Sequence, residues 1–140
     1  MAFKYDLPAA QQTPTSDSKV VLSKSFKIDI AGGSGFTTAT TYDLGWLPKD
    51  AQVLNYIAIV STVASGGGVT ASTLNLSVGG QTVFSAVNML SSSTIMNGTS
   101  VAYMNNLSSV ATDQKISYTP TNTTGNPTAG VVYIVLTYVV

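Results

Sequence analysis

The 140-residue chain contains no Cys, His, Arg or Glu, and its six Lys are balanced by six Asp for a formal net charge of +0. That inventory lacks the usual bases, nucleophiles and soft metal ligands of chemistry at neutral pH, and it lacks the guanidinium that reads phosphates and bases, so no catalytic residue, cofactor, metal or nucleic-acid partner is expected. Hydrophobic content of 44% fits one globular domain, whereas the charged fraction of 9% is far below the roughly 25% of ordinary domains.

The charge deficit is uneven, since from Ala51 to Val140 only Asp113 and Lys115 are charged. Two readings fit: a neutral, hydroxyl-rich β protein, or a surface partly covered by neighbouring chains, because interface cores are depleted of Lys, Glu and Asp. The lysines of the first 27 residues are interspersed with Asp6 and Asp17 and form no net basic patch. The N-terminus has no apolar h-region, so no signal peptide is expected, and the apolar run at Val131–Val140 is too short for a membrane helix.

Residues 1–17 are polar, carry Pro8 and Pro14 and lack periodicity, which predicts an extended N-terminal arm ahead of a single domain, residues 18–140. Within the arm Phe3, Tyr5 and Leu7 alternate with Lys4 and Asp6, a pattern suited to adding a short strand to a neighbouring subunit. From Val20 to Ile30 the period is two, with Val20, Leu22, Phe26, Ile28 and Ile30 on one face; Lys24 is the exception on that face. Ala31–Gly35 reads as a turn and the Thr-rich stretch Phe36–Leu44 as a second strand. Gln52–Val63 is apolar on both faces, with Val53, Ile57, Ile59 and Val63 alternating against Leu54, Tyr56, Ala58 and Val60. Such a strand is expected to be covered on both sides.

Thr70–Val78 alternates again and meets Gly79-Gly80, a two-residue hairpin signal that sets Leu76 opposite Val83 and Ser77 opposite Thr82. A short helix over Val83–Leu90 competes with that hairpin. Asn97-Gly98 marks a turn, with strand expected around Ile95, Val101 and Tyr103. Gln114–Thr119 reads as a short strand followed by a long turn from Pro120 to Gly130, and Val131–Val140 as a final strand, central in a sheet or pinned against another chain. The whole is an all-β chain: an antiparallel β-sandwich of about eight strands, expected to be a jelly roll.

Polar constellations add little. Asp29 and Asp43 are the best-placed acidic pair, and their spacing is not diagnostic of glycoside chemistry. No loop gathers the oxygen ligands of a Ca²⁺ site, and the Gly-rich runs lack the ending of a phosphate loop. Asn75, Asn97, Asn106 and Asn122 begin N-x-[ST] sequons, a modest excess over chance. Trp46, Tyr42 and Tyr56 could serve a glycan surface, though core or interface packing is the stronger explanation.

The segment Tyr42–Gly80 resembles a pattern found in virion structural proteins of tailed bacteriophages. Asp43, Leu44, Gly45, Leu47, Pro48 and Ala51 form a DLG-x-LP-x-x-A turn. The apolar strand Val53–Val63, the Gly/Ser/Thr-rich loop Ala64–Ser72 and the strand Leu74–Gly80 follow it, and Trp46 is a bulky departure inside the turn. The resemblance implies a non-enzymatic head decoration, cement or minor capsid protein with a jelly-roll-like fold. Together with the residue pattern it leads to an expected homo-oligomer, trimer favoured, bound to the major capsid or other virion proteins. The expected location is the virion head surface, after assembly in the host cytoplasm. Candidate inter-subunit contacts are Phe3, Tyr5, Leu7, Tyr56, Tyr133 and Tyr138. A tail or fibre module that touches host glycans is the alternative, and a non-viral carbohydrate-binding or surface-layer domain a third reading.

Overall fold

The computed structural model describes residues 20–96 and 113–139. The strands are β1 (Val21–Asp29), β2 (Tyr42–Leu47), β3 (Gln52–Ser65), β4 (Ala71–Val78), β5 (Gln81–Asn88), β6 (Ser93–Met96), β7 (Gln114–Thr123) and β8 (Ala129–Val139); the described residues contain no helix. They form two four-stranded sheets, ordered β1-β8-β3-β6 and β2-β7-β4-β5, in which every pair is antiparallel. Apart from the β4–β5 hairpin, successive strands alternate between the sheets. The hydrophobic core lies between them, as in a β-sandwich.

One face of the apolar last strand builds this core. Val132, Ile134, Leu136 and Tyr138 of β8 point inward and are at most 8% exposed. They share the interior with Val53, Tyr56, Ala58 and Val60 of β3, facing Leu74, Leu76 and Val78 of β4 and Ile116 and Tyr118 of β7. Tyr56 and Phe84 span the two sheets, with ring centroids 4.7 Å apart. Each fully buried aliphatic side chain contributes about 2 kcal/mol of transfer free energy. As expected for a strand with this composition, β8 lies inside its sheet, paired with β1 on one side and β3 on the other.

The Gly79-Gly80 turn forms, with φ of 59° and 84°, and β5 is a strand rather than the competing helix. Ser77 pairs with Thr82 as expected, but a bulge sets Leu76 opposite Phe84 instead of Val83, and both Val83 and Phe84 are buried. The second strand is displaced: β2 starts only at Tyr42, and Phe36–Thr41 is a loop whose Phe36 is 4% exposed. Ala39 has a φ of 61°, outside the extended range of a regular strand. The long turn expected from Pro120 also begins later, because β7 runs on to Thr123. Pro120 is tolerated there because β2 pairing ends at Tyr42↔Tyr118. Its carbonyl accepts from the Ala39 N–H on that side, so its missing donor faces a loop and not the β4 ladder. Residues 1–17, the Asn97-Gly98 turn, Val101 and Tyr103 lie outside the described residues.

Candidate interaction surface

The outward faces of the two sheets differ in chemistry. On the β2-β7-β4 side the cross-strand pairs are Ser77↔Ser117, Asn75↔Thr119 and Thr73↔Thr121, a hydroxyl and amide surface. On the β1-β8-β3 side the rows are Lys27↔Tyr133↔Ile59 and Ser25↔Val135↔Ile57, flanked by Val131 and Val139. Tyr133 is 41% exposed and Ile59 36%. The charge on this face neutralises itself: Lys27 Nζ lies 3.5 Å from Asp29 Oδ2 and 5.9 Å from the centre of the Tyr133 ring. A sheet face in water ordinarily alternates to polar residues. Here the two central strands carry an apolar patch, Val131, Tyr133 and Val135 on β8 with Ile57 and Ile59 on β3, beside the polar row Ser23↔Thr137↔Asn55.

The phase of β3 decides which residues reach this face. A bulge between Val53 and Asn55 lets Val53 point inward and then brings Tyr56, Ala58 and Val60 inward too. Ile57 and Ile59 are left outside. Of the three tyrosines expected at contacts in the described strands, only Tyr133 presents its ring to the surface. Tyr56 is 6% exposed and packed on Phe84, and burial raises the pKa of its hydroxyl. Tyr138 is buried on the inner face of β8. Phe3, Tyr5 and Leu7 lie outside the described residues.

The edge of the other sheet carries a feature that the sequence did not place. Trp46 of β2 is 52% exposed, and Lys115 Nζ sits 5.3 Å from its ring centre while also pairing with Asp43 Oδ2 at 3.3 Å. The Lys24 ammonium donates to the Trp46 carbonyl across to the neighbouring sheet. Asp43 and Asp29 are therefore separated, one on each sheet. Asp29 accepts the Gly32 N–H at 3.0 Å and serves the turn after β1. Among the described residues no three acidic side chains gather as a metal site would require.

The Phe36–Thr41 loop is fixed by groups distant in sequence. Asn122 Nδ2 donates to the Phe36 carbonyl at 2.8 Å and to Asn126 Oδ1 at 3.1 Å, while its Oδ1 accepts from Ser72 Oγ at 2.6 Å. The Asn122 N–H donates to Thr38 Oγ1 and the Thr38 N–H to Asn126 Oδ1. The Tyr118 hydroxyl donates to the Gly35 carbonyl at 2.7 Å, and the Thr37 N–H donates to the Tyr42 hydroxyl at 3.0 Å. Among the described residues no buried side-chain nitrogen or oxygen lacks a partner. This network is structural: its polar groups are spent on one another.

No protein-family model matches the sequence, and no curated protein matches it. Among solved structures, the fold is similar to that of a chain in the capsid of Ralstonia phage GP4. The two share 19% identity with a TM-score of 0.59, over 91% of this chain and 90% of that one.

Proposed function

We propose that the chain is a non-enzymatic structural protein of a phage virion, a decoration or cement subunit that stabilises the head by bridging its capsomers. The observation that carries this reading is the shared fold with a chain of a phage capsid across nine-tenths of both chains. The strand orders β1-β8-β3-β6 and β2-β7-β4-β5 support naming that fold a jelly roll. The sparse charge and the apolar outer face of the β1-β8-β3 sheet support a surface that works in contact with other chains.

In this reading the subunit forms a homo-oligomer, a trimer by preference, seated on the major capsid protein at the head surface. Residues 1–17 reach along a neighbouring subunit through Phe3, Tyr5 and Leu7. Electron microscopy of the intact particle tests the location: density for this fold on the head supports the reading, and density confined to the tail overturns it. Removing residues 1–17 should leave the domain folded and weaken its incorporation; unfolding of the truncated chain would assign the arm to its own domain.

The exposed Trp46 beside Asp43 and Lys115 favours one second reading, a tail or fibre module that stacks a host sugar ring on the indole. Tail density, together with loss of glycan binding in Trp46→Ala, would select it.

A further inference from the structure

We infer that the outer face of the β1-β8-β3 sheet is buried against a second copy of this chain, and that the hydroxyl face of the β2-β7-β4 sheet stays in water. The inference deepens the oligomeric part of the function proposed above and rests on it. Three observations select a second copy as the occupant.

The first is charge. Lys27 and Asp29 pair within the face at 3.5 Å, and the rest of the described face on β8 and β3 has no ionic group. A partner chosen by opposite charge has nothing to read there, whereas two copies approach without like-charge repulsion.

The second is area. Three strands spaced about 4.8 Å apart and overlapping over about nine residues at about 3.3 Å each give a footprint of roughly 430 Å². Two copies would then bury roughly 860 Å², the size of a weak, reversible contact. Such a contact should form and dissociate with concentration.

The third is relief. Tyr133 and Ile59, paired across β8 and β3, form a ridge beside low ground at Ser23 and Ser25 on β1. A ridge of one copy set against the low ground of another removes from water Tyr133 and Ile59, which are 41% and 36% exposed. Aromatic anchors of this kind dominate interface energetics.

The test is sedimentation velocity on the full chain over a wide concentration range, for the wild type, Ile59→Lys, Tyr133→Ser and Thr119→Lys. The wild type should associate as concentration rises. Ile59→Lys places an unpaired charge in the contact and should weaken association at least about tenfold. Tyr133→Ser removes the ridge without adding charge and should weaken it in the same direction, which decides the matter if Ile59→Lys fails to fold by circular dichroism. Thr119→Lys, on the hydroxyl face, should associate as the wild type does. A wild type that remains a 14.5 kDa monomer throughout, or folded variants of Ile59 and Tyr133 that associate unchanged, overturns the inference. Either result would leave the virion assignment standing, because that is read separately from the particle.

Discussion

Gly67 and Gly125 lie backbone against backbone: a Cβ on Gly125 would stand 1.9 Å from the Gly67 carbonyl oxygen, and a Cβ on Gly67 would stand 1.9 Å from the Asn126 carbonyl oxygen. The loop leaving β3 and the loop entering β8 are thereby locked together at one end of the sandwich. Neither contact leaves room for a methyl group, and each obstacle is a backbone atom that no rotamer change can move.

Gly125→Ala and Gly67→Ala should therefore each destabilise the fold by about 2–3 kcal/mol, the range for overpacking. Gly80→Ala is the matched control. Its φ is 84° and nothing lies within 4 Å of its Cβ, so it should cost only the left-handed strain of about 1 kcal/mol. Urea denaturation of the three variants measures the difference. Equal losses at Gly80 and Gly125 would show that the close approach carries no energy of its own.

Tyr118 links the fold to alkaline pH. Its ring is 3% exposed and stacks on Tyr42 at 5.2 Å, and burial, with a smaller push from Tyr42, raises its hydroxyl pKa from 10.0 to about 12. The folded state thus holds this proton where the unfolded chain releases it. The resulting stability is fully present below pH 10 and is lost as pH rises towards 12, amounting to about 2–3 kcal/mol. Tyr42 acts in the opposite sense, because hydrogen bonds from the Thr37 side chain and backbone lower its pKa. Tyr118→Phe should lose about 1 kcal/mol at pH 7, with the bond to Gly35, and should show a shallower decline above pH 10. Melting temperatures of both proteins from pH 7 to 11 provide the measurement; parallel curves would remove Tyr118 as the cause.

The Asn122 amide is a second point of leverage. Asn122→Ala removes the acceptor of Ser72 Oγ, and Ser72 is 1% exposed. It also frees the Phe36 carbonyl, so the loss should be about 2–3 kcal/mol, the cost of stranding buried polar groups. Asn122→Asp keeps the acceptor but cannot donate to the Phe36 carbonyl or to Asn126 Oδ1, and it should recover only part of the loss. Chemical denaturation separates the two variants. An Ala variant within 0.5 kcal/mol of wild type, the ordinary range for surface substitutions, would show that the network does not hold the loop.

These same residues show where the sequence was informative and where it was not. Strand β8 and the Gly79-Gly80 turn were legible because each follows from a local rule, a continuous apolar run of strand length in one case and positive φ in the other. The Phe36–Thr41 loop was read as strand because its threonines favour that state. What opposes them is the left-handed Ala39 and hydrogen bonds to Asn122 and Asn126, more than 80 residues away. Pattern alone does not reveal such partners. The apolar outer sheet face was legible as a surplus of apolar residues on β3 and β8. That Tyr56 turns inward was not, because the bulge between Val53 and Asn55 reverses the phase that simple alternation from Val53 assigns.

Ala86 offers a test in the stabilising direction. It occupies β5 with a φ of 59°, a left-handed conformation that costs an L-residue roughly 1 kcal/mol. What holds it there is the bond from its N–H to Asn75 Oδ1 at 2.7 Å, next to the register shift between Leu74 and Leu76 in the β4–β5 ladder. Glycine adopts this φ without the Cβ clash, although it gives up more freedom on folding and so returns part of the gain. Ala86→Gly should raise stability by about 0.5 kcal/mol, and its exposed position makes lost packing a minor matter. Asn75→Ala should lower stability by about 1 kcal/mol by removing the acceptor. The double variant should lie above the Asn75→Ala single variant, because glycine tolerates the conformation once its restraint is gone. Urea midpoints for the three variants measure this, and a destabilised Ala86→Gly would mean that this part of β5 does not adopt the left-handed conformation in solution.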